Sequence, residues 1–110
     1  MADFDAARLD EVIHGKLRLG VMAYLSAVDD ATFAELKDRT GATDGNLSVH
    51  LRKLEEAGYV AVEKRFVGRK PQTRARLTPQ GRKAWIAYID QMRALLDGGD
   101  GPQSAGRTRS

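Results

Sequence analysis

One stretch constrains this chain more than any other: residues 33–77, FAELKDRTGATDGNLSVHLRKLEEAGYVAVEKRFVGRKPQTRARL, where two short helical patterns precede a basic alternating segment. Thr32 can cap the first helix, and Glu35, three positions on, supplies the reciprocal half of a capping box. That helix should end near Gly41. Thr43 caps the next, which runs to about Ala57 with Gly58 beyond it as a left-handed terminator. Only Thr40-Gly41-Ala42 separates them. Two helices joined by a three- or four-residue turn containing glycine make a helix-turn-helix, a pattern that ordinary helical hairpins share.

At about 100° per residue, the second helix has two distinct sides. Leu47, Leu51 and Leu54 project toward a core, whereas Gly45, Ser48, Val49 and Arg52 project away from it. Asn46 and Lys53 flank the outward face, and Asp44 sits at the first turn, nearer the core side. A face that is small at its start and basic further on suits insertion into a groove. The free amides at Asp44 and Gly45 can also hold a phosphate. His50 lies beside the leucine stripe, so it is expected to pack or to bond a backbone group rather than to touch a base.

The segment that follows reads as a hairpin. Tyr59 to Phe66 alternates with Val60, Val62 and Phe66 on one side, Val67-Gly68-Arg69-Lys70-Pro71 turns, and Gln72 to Leu77 returns. Thr73, Ala75 and Leu77 should face inward, leaving Arg74 and Arg76 outward. Residues 60–77 hold six basic side chains (Lys64, Arg65, Arg69, Lys70, Arg74, Arg76) and one acid, Glu63: a net +5 against +3 for the whole chain. The preceding helix carries two bases and three acids, a net −1. Electrostatic grip therefore belongs to the hairpin, which can track a phosphate backbone or enter a minor groove, and choice belongs to the helix. Residues 1–38, with eight acids and four bases, should avoid phosphate.

Flanking helices complete a mainly α domain with a small β-hairpin. A short helix over Ala6–Ile13 precedes a longer one over Lys16–Ala27, with Leu17, Val21, Tyr24, Leu25 and Val28 as its apolar stripe. Residues 28–32 read as a connector. Thr78 caps the last helix, Pro79 takes its first position and Gly81 belongs to its start. Trp85, Ile89, Met92 and Leu96 then form a narrow seam like that of a coiled coil, widened by Ile86, Tyr88 and Leu95. This seam is the expected dimer interface. Residues 98–110, rich in glycine and serine, are expected to be a disordered tail after a single domain over 1–97.

Several functions are disfavoured. Without cysteine there is no disulfide, thiolate metal site or thiol switch, and the expected compartment is a reducing cytoplasm. The apolar runs are far shorter than the roughly 20 residues of a membrane helix, and the acidic start MADFDAARLDE is unlike a signal peptide. Ser48 and His50, two apart on a helix, diverge and cannot act as nucleophile and base. No glycine-rich phosphate loop follows a strand. Neither enzymatic activity nor a cofactor is expected.

Four blocks in order resemble a known family: Phe33-Ala34-Glu35-Leu36, the run from Thr43 to Leu51 (TDGNLSVHL), the run from Leu54 to Val60 (LEEAGYV), and Leu77-Thr78-Pro79-Gln80-Gly81-Arg82. Over roughly Val12 to Met92 the chain is similar to MarR- and ArsR-like winged-helix transcriptional regulators, above all the short winged helix DNA-binding domain proteins. The resemblance implies a winged helix-turn-helix with terminal helices forming a dimer interface. It implies a homodimer on double-stranded DNA, acting as a repressor by promoter occupancy at an inverted repeat with half-sites about 10 base pairs apart. The reading residues implied are Gly45, Asn46, Ser48, Val49 and Arg52, with Asp44 and Lys53 at the margins and wing contacts from Arg69, Lys70 and Arg74. His14 and His50 are too widely separated for metal sensing. Control is left to an organic ligand between the dimer and reading regions, to another protein, or to no effector at all. A winged helix used for protein contacts is the second reading.

Overall fold

Three threonines set where helices begin. Thr32 Oγ1 accepts from Glu35 N at 3.0 Å while the Glu35 carboxylate accepts from Thr32 N at 2.8 Å, completing the capping box. Thr43 accepts from Asn46 N, and Thr78 from Gly81 N with Pro79 just inside the helix. Gly41 and Gly58 adopt φ of 72° and 83°, the left-handed conformation that ends a helix cheaply only for glycine.

The computed structural model describes residues 10–97, with the order α1 (Lys16–Ser26), β1 (Ala31–Thr32), α2 (Phe33–Thr40), α3 (Asp44–Glu56), β2 (Val60–Val67), β3 (Lys70–Leu77) and α4 (Pro79–Leu96). The expected winged helix-turn-helix is present, with its small antiparallel sheet in the order β1-β3-β2. The expected tail and residues 6–9 of the expected first helix lie outside the described residues. At the near end of that helix, residues 10–13 form a tight turn in which Asp10 accepts from Val12 N through its carboxylate and from His14 N through its carbonyl.

Two features of the sheet depart from expectation. The connector before α2 contains a third strand, β1, pairing Ala31 with Ala75 and Thr32 with Arg74. Two residues are too few to display an alternation, so only the free edge of β3 reveals them. The hairpin turn is also tighter than the five residues expected. Val67 pairs with Lys70, which leaves Gly68 and Arg69 as the turn. Gly68 at φ 65° permits that closure.

The core gathers Val21, Met22 and Leu25 from α1, Leu36 from α2, Leu47, Leu51 and Leu54 from α3, and Val60, Ala75 and Leu77 from the hairpin. Ile13 and Tyr88 close it. On α1, Met22 takes a buried place while Leu17 and Tyr24, and Val28 just past the helix, are only half-buried. Tyr88 is buried in its own domain rather than widening an outer seam. Trp85, Ile89 and Met92 are half-buried against the core, whereas Ile86, Leu95 and Leu96 are exposed.

Gly81 does more than open a helix. A Cβ there would collide with the Tyr59 carbonyl oxygen, because α4 begins directly on the chain leaving α3. Thr78 N donates to that same carbonyl at 3.0 Å, and Thr78 Oγ1 donates to the Gly58 carbonyl at 2.6 Å. Gly81→Ala should therefore cost about 3 kcal/mol through overpacking against backbone that cannot rotate away. Gly45→Ala meets nothing within 4 Å and should be neutral or stabilising by up to ~1 kcal/mol. Thermal denaturation of the two variants checks both; equal melting temperatures would contradict the close crossing.

Candidate nucleic-acid interface

The roll of α3 is fixed by its buried leucines, Leu47, Leu51 and Leu54. Gly45, Ser48, Val49 and Arg52 are consequently exposed on the opposite side, together with Asn46 and Lys53 at its edges. Val49, a large apolar residue, is 53% exposed there. Asp44, at the first turn on the side of the leucine stripe, is nevertheless in solvent, with its carboxylate 2.8 Å from Lys37 Nζ. As the first residue of α3 it precedes the first buried leucine, so α2 can reach it from the side.

Behind this helix, Arg18 of α1 makes a clamp that sequence reasoning missed. Its Nε donates to the Val12 carbonyl at 2.6 Å, and its Nη1 lies 2.8 Å from His50 Nδ1. Arginine can only donate, so Nδ1 accepts and the neutral imidazole carries its proton on Nε2. Burial, reinforced by the Arg18 and Lys53 charges, holds the His50 pKa below its ordinary 6.5. His50 therefore bonds a side chain rather than the expected backbone group, and it anchors α3 from behind. The available signal was an arginine next to an otherwise apolar helical stripe.

The hairpin divides its cations into two kinds. Arg65 pairs with Glu63 at 3.0 Å, and Arg74 pairs with Asp30 at 2.5 Å while donating to Gln72 at 3.0 Å. Arg74, expected on the outward side of the strand, has a half-buried guanidinium that ties β3 to the loop before β1. The Arg74 hydrogen bond in turn holds the Asp30 carboxyl below the usual carboxylate range. Lys64, Arg69, Lys70 and Arg76 are exposed and have no acid partner within 4.0 Å among the described residues. Of the three wing residues expected to contact DNA, Arg69 and Lys70 sit at the free tip and Arg74 at the root.

Helix and hairpin face each other across two clefts. One, of about 350 Å³, has Ser48, Arg52 and Glu55 on the helix side and Val62, Lys64 and Thr73 on the hairpin side. The other, about 540 Å³, lies between Lys37 and Asp44 on one side and Lys70 and Pro71 on the other. Phe33 lines both. The four seam residues are brought onto one helix, but three of them already lean on their own core and only Leu96, 79% exposed, is wholly available. No described helix is long and apolar enough to cross a membrane. Among the described residues no three His, Asp or Glu side chains gather where they could hold a metal ion.

Comparison with known proteins agrees with this geometry. The family model described as a winged helix DNA-binding domain matches residues 17–96. An uncharacterised protein of Methanocaldococcus jannaschii is 33% identical over 85 residues, spanning 77% of this chain and 92% of the relative. A transcriptional regulator homologue from Pyrococcus horikoshii superposes with a TM-score of 0.75 at 28% identity, covering 83% of this chain and 90% of that one. A MarR-family transcriptional regulator from Silicibacter pomeroyi gives 0.63 at 28% identity, covering 86% and 65% respectively.

The Arg18–His50 clamp makes stability depend on pH in a defined sense. Because the folded-state pKa lies below 6.5, the unfolded chain binds more protons, and stability present above 6.5 is lost as pH falls through the folded value. His50→Gln keeps an acceptor for Arg18 but cannot titrate. Melting temperatures measured between pH 8 and pH 5 should fall less steeply below 6.5 in the variant; parallel curves would contradict the clamp.

Proposed function

We propose that this chain, which belongs to the winged helix DNA-binding domain family, is a cytoplasmic homodimeric transcription repressor that recognises an inverted repeat and excludes polymerase by occupancy. The observation that carries this reading is the pairing, across shared clefts, of an uncovered helix face with a hairpin tip whose cations lack acid partners among the described residues. No step of chemistry is required of it.

Affinity and selectivity come from different elements. Arg69 and Lys70 neutralise phosphates, releasing counterions and giving a sequence-tolerant, salt-dependent grip. Arg52, placed past the small residues Gly45 and Ser48, can offer a bidentate donor pair to a guanine edge, and Asn46 can bond an adenine edge in the same bidentate way. Arg74, bound to Asp30, contributes mainly by holding the wing at a fixed angle to the sheet. One helix and one wing cover too little DNA for selective occupancy, so a second copy is needed. The exposed Ile86, Leu95 and Leu96 of α4, with the free edges of Trp85, Ile89 and Met92, supply an apolar face for it.

A protein-docking role would use the same surfaces without groove geometry or steep salt dependence. Gel-shift titrations across a salt series separate the two. The Arg69→Ala/Lys70→Ala variant should bind every duplex more weakly and reduce the slope of log K against log salt by about 1 for each phosphate that is no longer neutralised. Altered base preference with an unchanged slope, or no protected duplex even at low salt, would refute the assignment.

A further inference from the structure

The tip of the wing carries apolar side chains that neither the core nor the ion pairs use. Phe66 is 73% exposed and Val67 56% exposed, although both lie in a regular strand. Phe66 stands directly opposite Pro71, itself exposed, so the two form a contiguous apolar pair beside the Gly68–Arg69 turn. A single exposed hydrophobic residue is ordinary, but a contiguous apolar tip on a projecting hairpin calls for an occupant. Lys64, Arg69 and Lys70 surround it within seven residues of chain, all exposed and without an acid partner within 4.0 Å among the described residues. Such an apolar point inside a cationic collar matches a surface with apolar faces behind a row of anions.

We infer that Phe66 is a wedge that enters a minor groove and partly unstacks a base step while the collar holds the flanking phosphates. The inference rests on the DNA-binding reading above and deepens it, because it makes operator bending part of recognition. Groove dimensions favour it. The minor groove is roughly 6 Å wide, and a two-stranded ribbon about 4.8 Å between backbones exceeds that once its side chains are added. The backbone of the tip therefore stays outside and side chains alone reach in, and an inserted apolar side chain opens the groove by kinking the duplex toward the major groove. Phe66 is placed for this, since it shares a strand face with Lys64 and Val62, which line the cleft facing α3. Recognition then includes positions no donor touches, with flexible pyrimidine–purine steps selected under the wing.

The test uses the full chain and 30-base-pair duplexes selected by it from a random pool, labelled at both ends for energy transfer. Wild type should shorten the end-to-end distance on binding. Phe66→Ala should still bind with an unchanged salt slope, about 10-fold more weakly, without shortening the duplex and with the preference for a flexible step under the wing lost. Phe66→Trp should retain the bend. Phe66 is exposed, so circular dichroism should match wild type in both variants. A bend that survives Phe66→Ala, or wild-type binding with no bend, overturns the wedge but leaves the DNA reading intact. Failure of wild type to select any duplex overturns both. Preserved DNA behaviour in Phe66→Ala, with loss only of binding to a protein or an anionic vesicle, would move the tip to another partner.

Discussion

The ends of α3 and α4, the base of the hairpin and the turn before α1 all meet at the backbone and side chain of Tyr59. Its N–H donates to the Leu54 carbonyl, closing α3, and its carbonyl accepts from Thr78 N, opening α4. Its hydroxyl lies 2.5 Å from the Asp10 carboxylate, which pushes the phenol pKa up to about 12 and ties down the turn before α1. Gly81 presses on the same carbonyl, leaving no room for a side chain. The base of the hairpin is thus held between two helices, and β2 leaves it in a direction set by α3. That constraint makes the hairpin a wing aimed beside α3 instead of a loose ribbon.

Electrostatics repeat this division between root and tip. At the root, Asp30 and Glu35 are both held below the ordinary carboxylate range, Asp30 chiefly by Arg74 and Glu35 chiefly by the Thr32 backbone amide. Arg74 is consequently a structural cation, and its charge is largely answered within the chain. At the tip, Arg69 and Lys70 have no such partner among the described residues. Whatever this half-buried pair adds to folding, it decides which cations of the hairpin are left without an acid partner. The hairpin is thus braced where it joins the domain and carries unanswered charge at its tip, the arrangement that the proposed repression by occupancy would need.

Much of this was legible in the sequence because the signals were local. Thr32 with Glu35, Thr43 before the leucine stripe, Gly58 after it and Thr78-Pro79 each mark an end through bonds spanning a few residues. The outward face of α3 followed from helical geometry alone. What escaped depended on contacts between distant residues. β1 exists only as the edge partner of β3, and Arg74 meets Asp30 across 44 positions. His50 meets Arg18 across 32, and Gly81 reads as an ordinary first-turn residue until Tyr59 is brought beneath it. Phe66 shows the converse: its alternation with Val60 and Val62 gives the correct strand face, but that face runs past the end of the core.

Two helix-and-wing units side by side, each reading one half-site, are what this geometry requires if the chain is a repressor by occupancy. Hydroxyl-radical footprinting of the full chain on duplexes selected from a random pool reads that arrangement directly. Two protected segments related by two-fold symmetry, centred about 10 base pairs apart on an inverted repeat, are expected. A single unrepeated protected segment, or uniform protection with no sequence enriched, would contradict it.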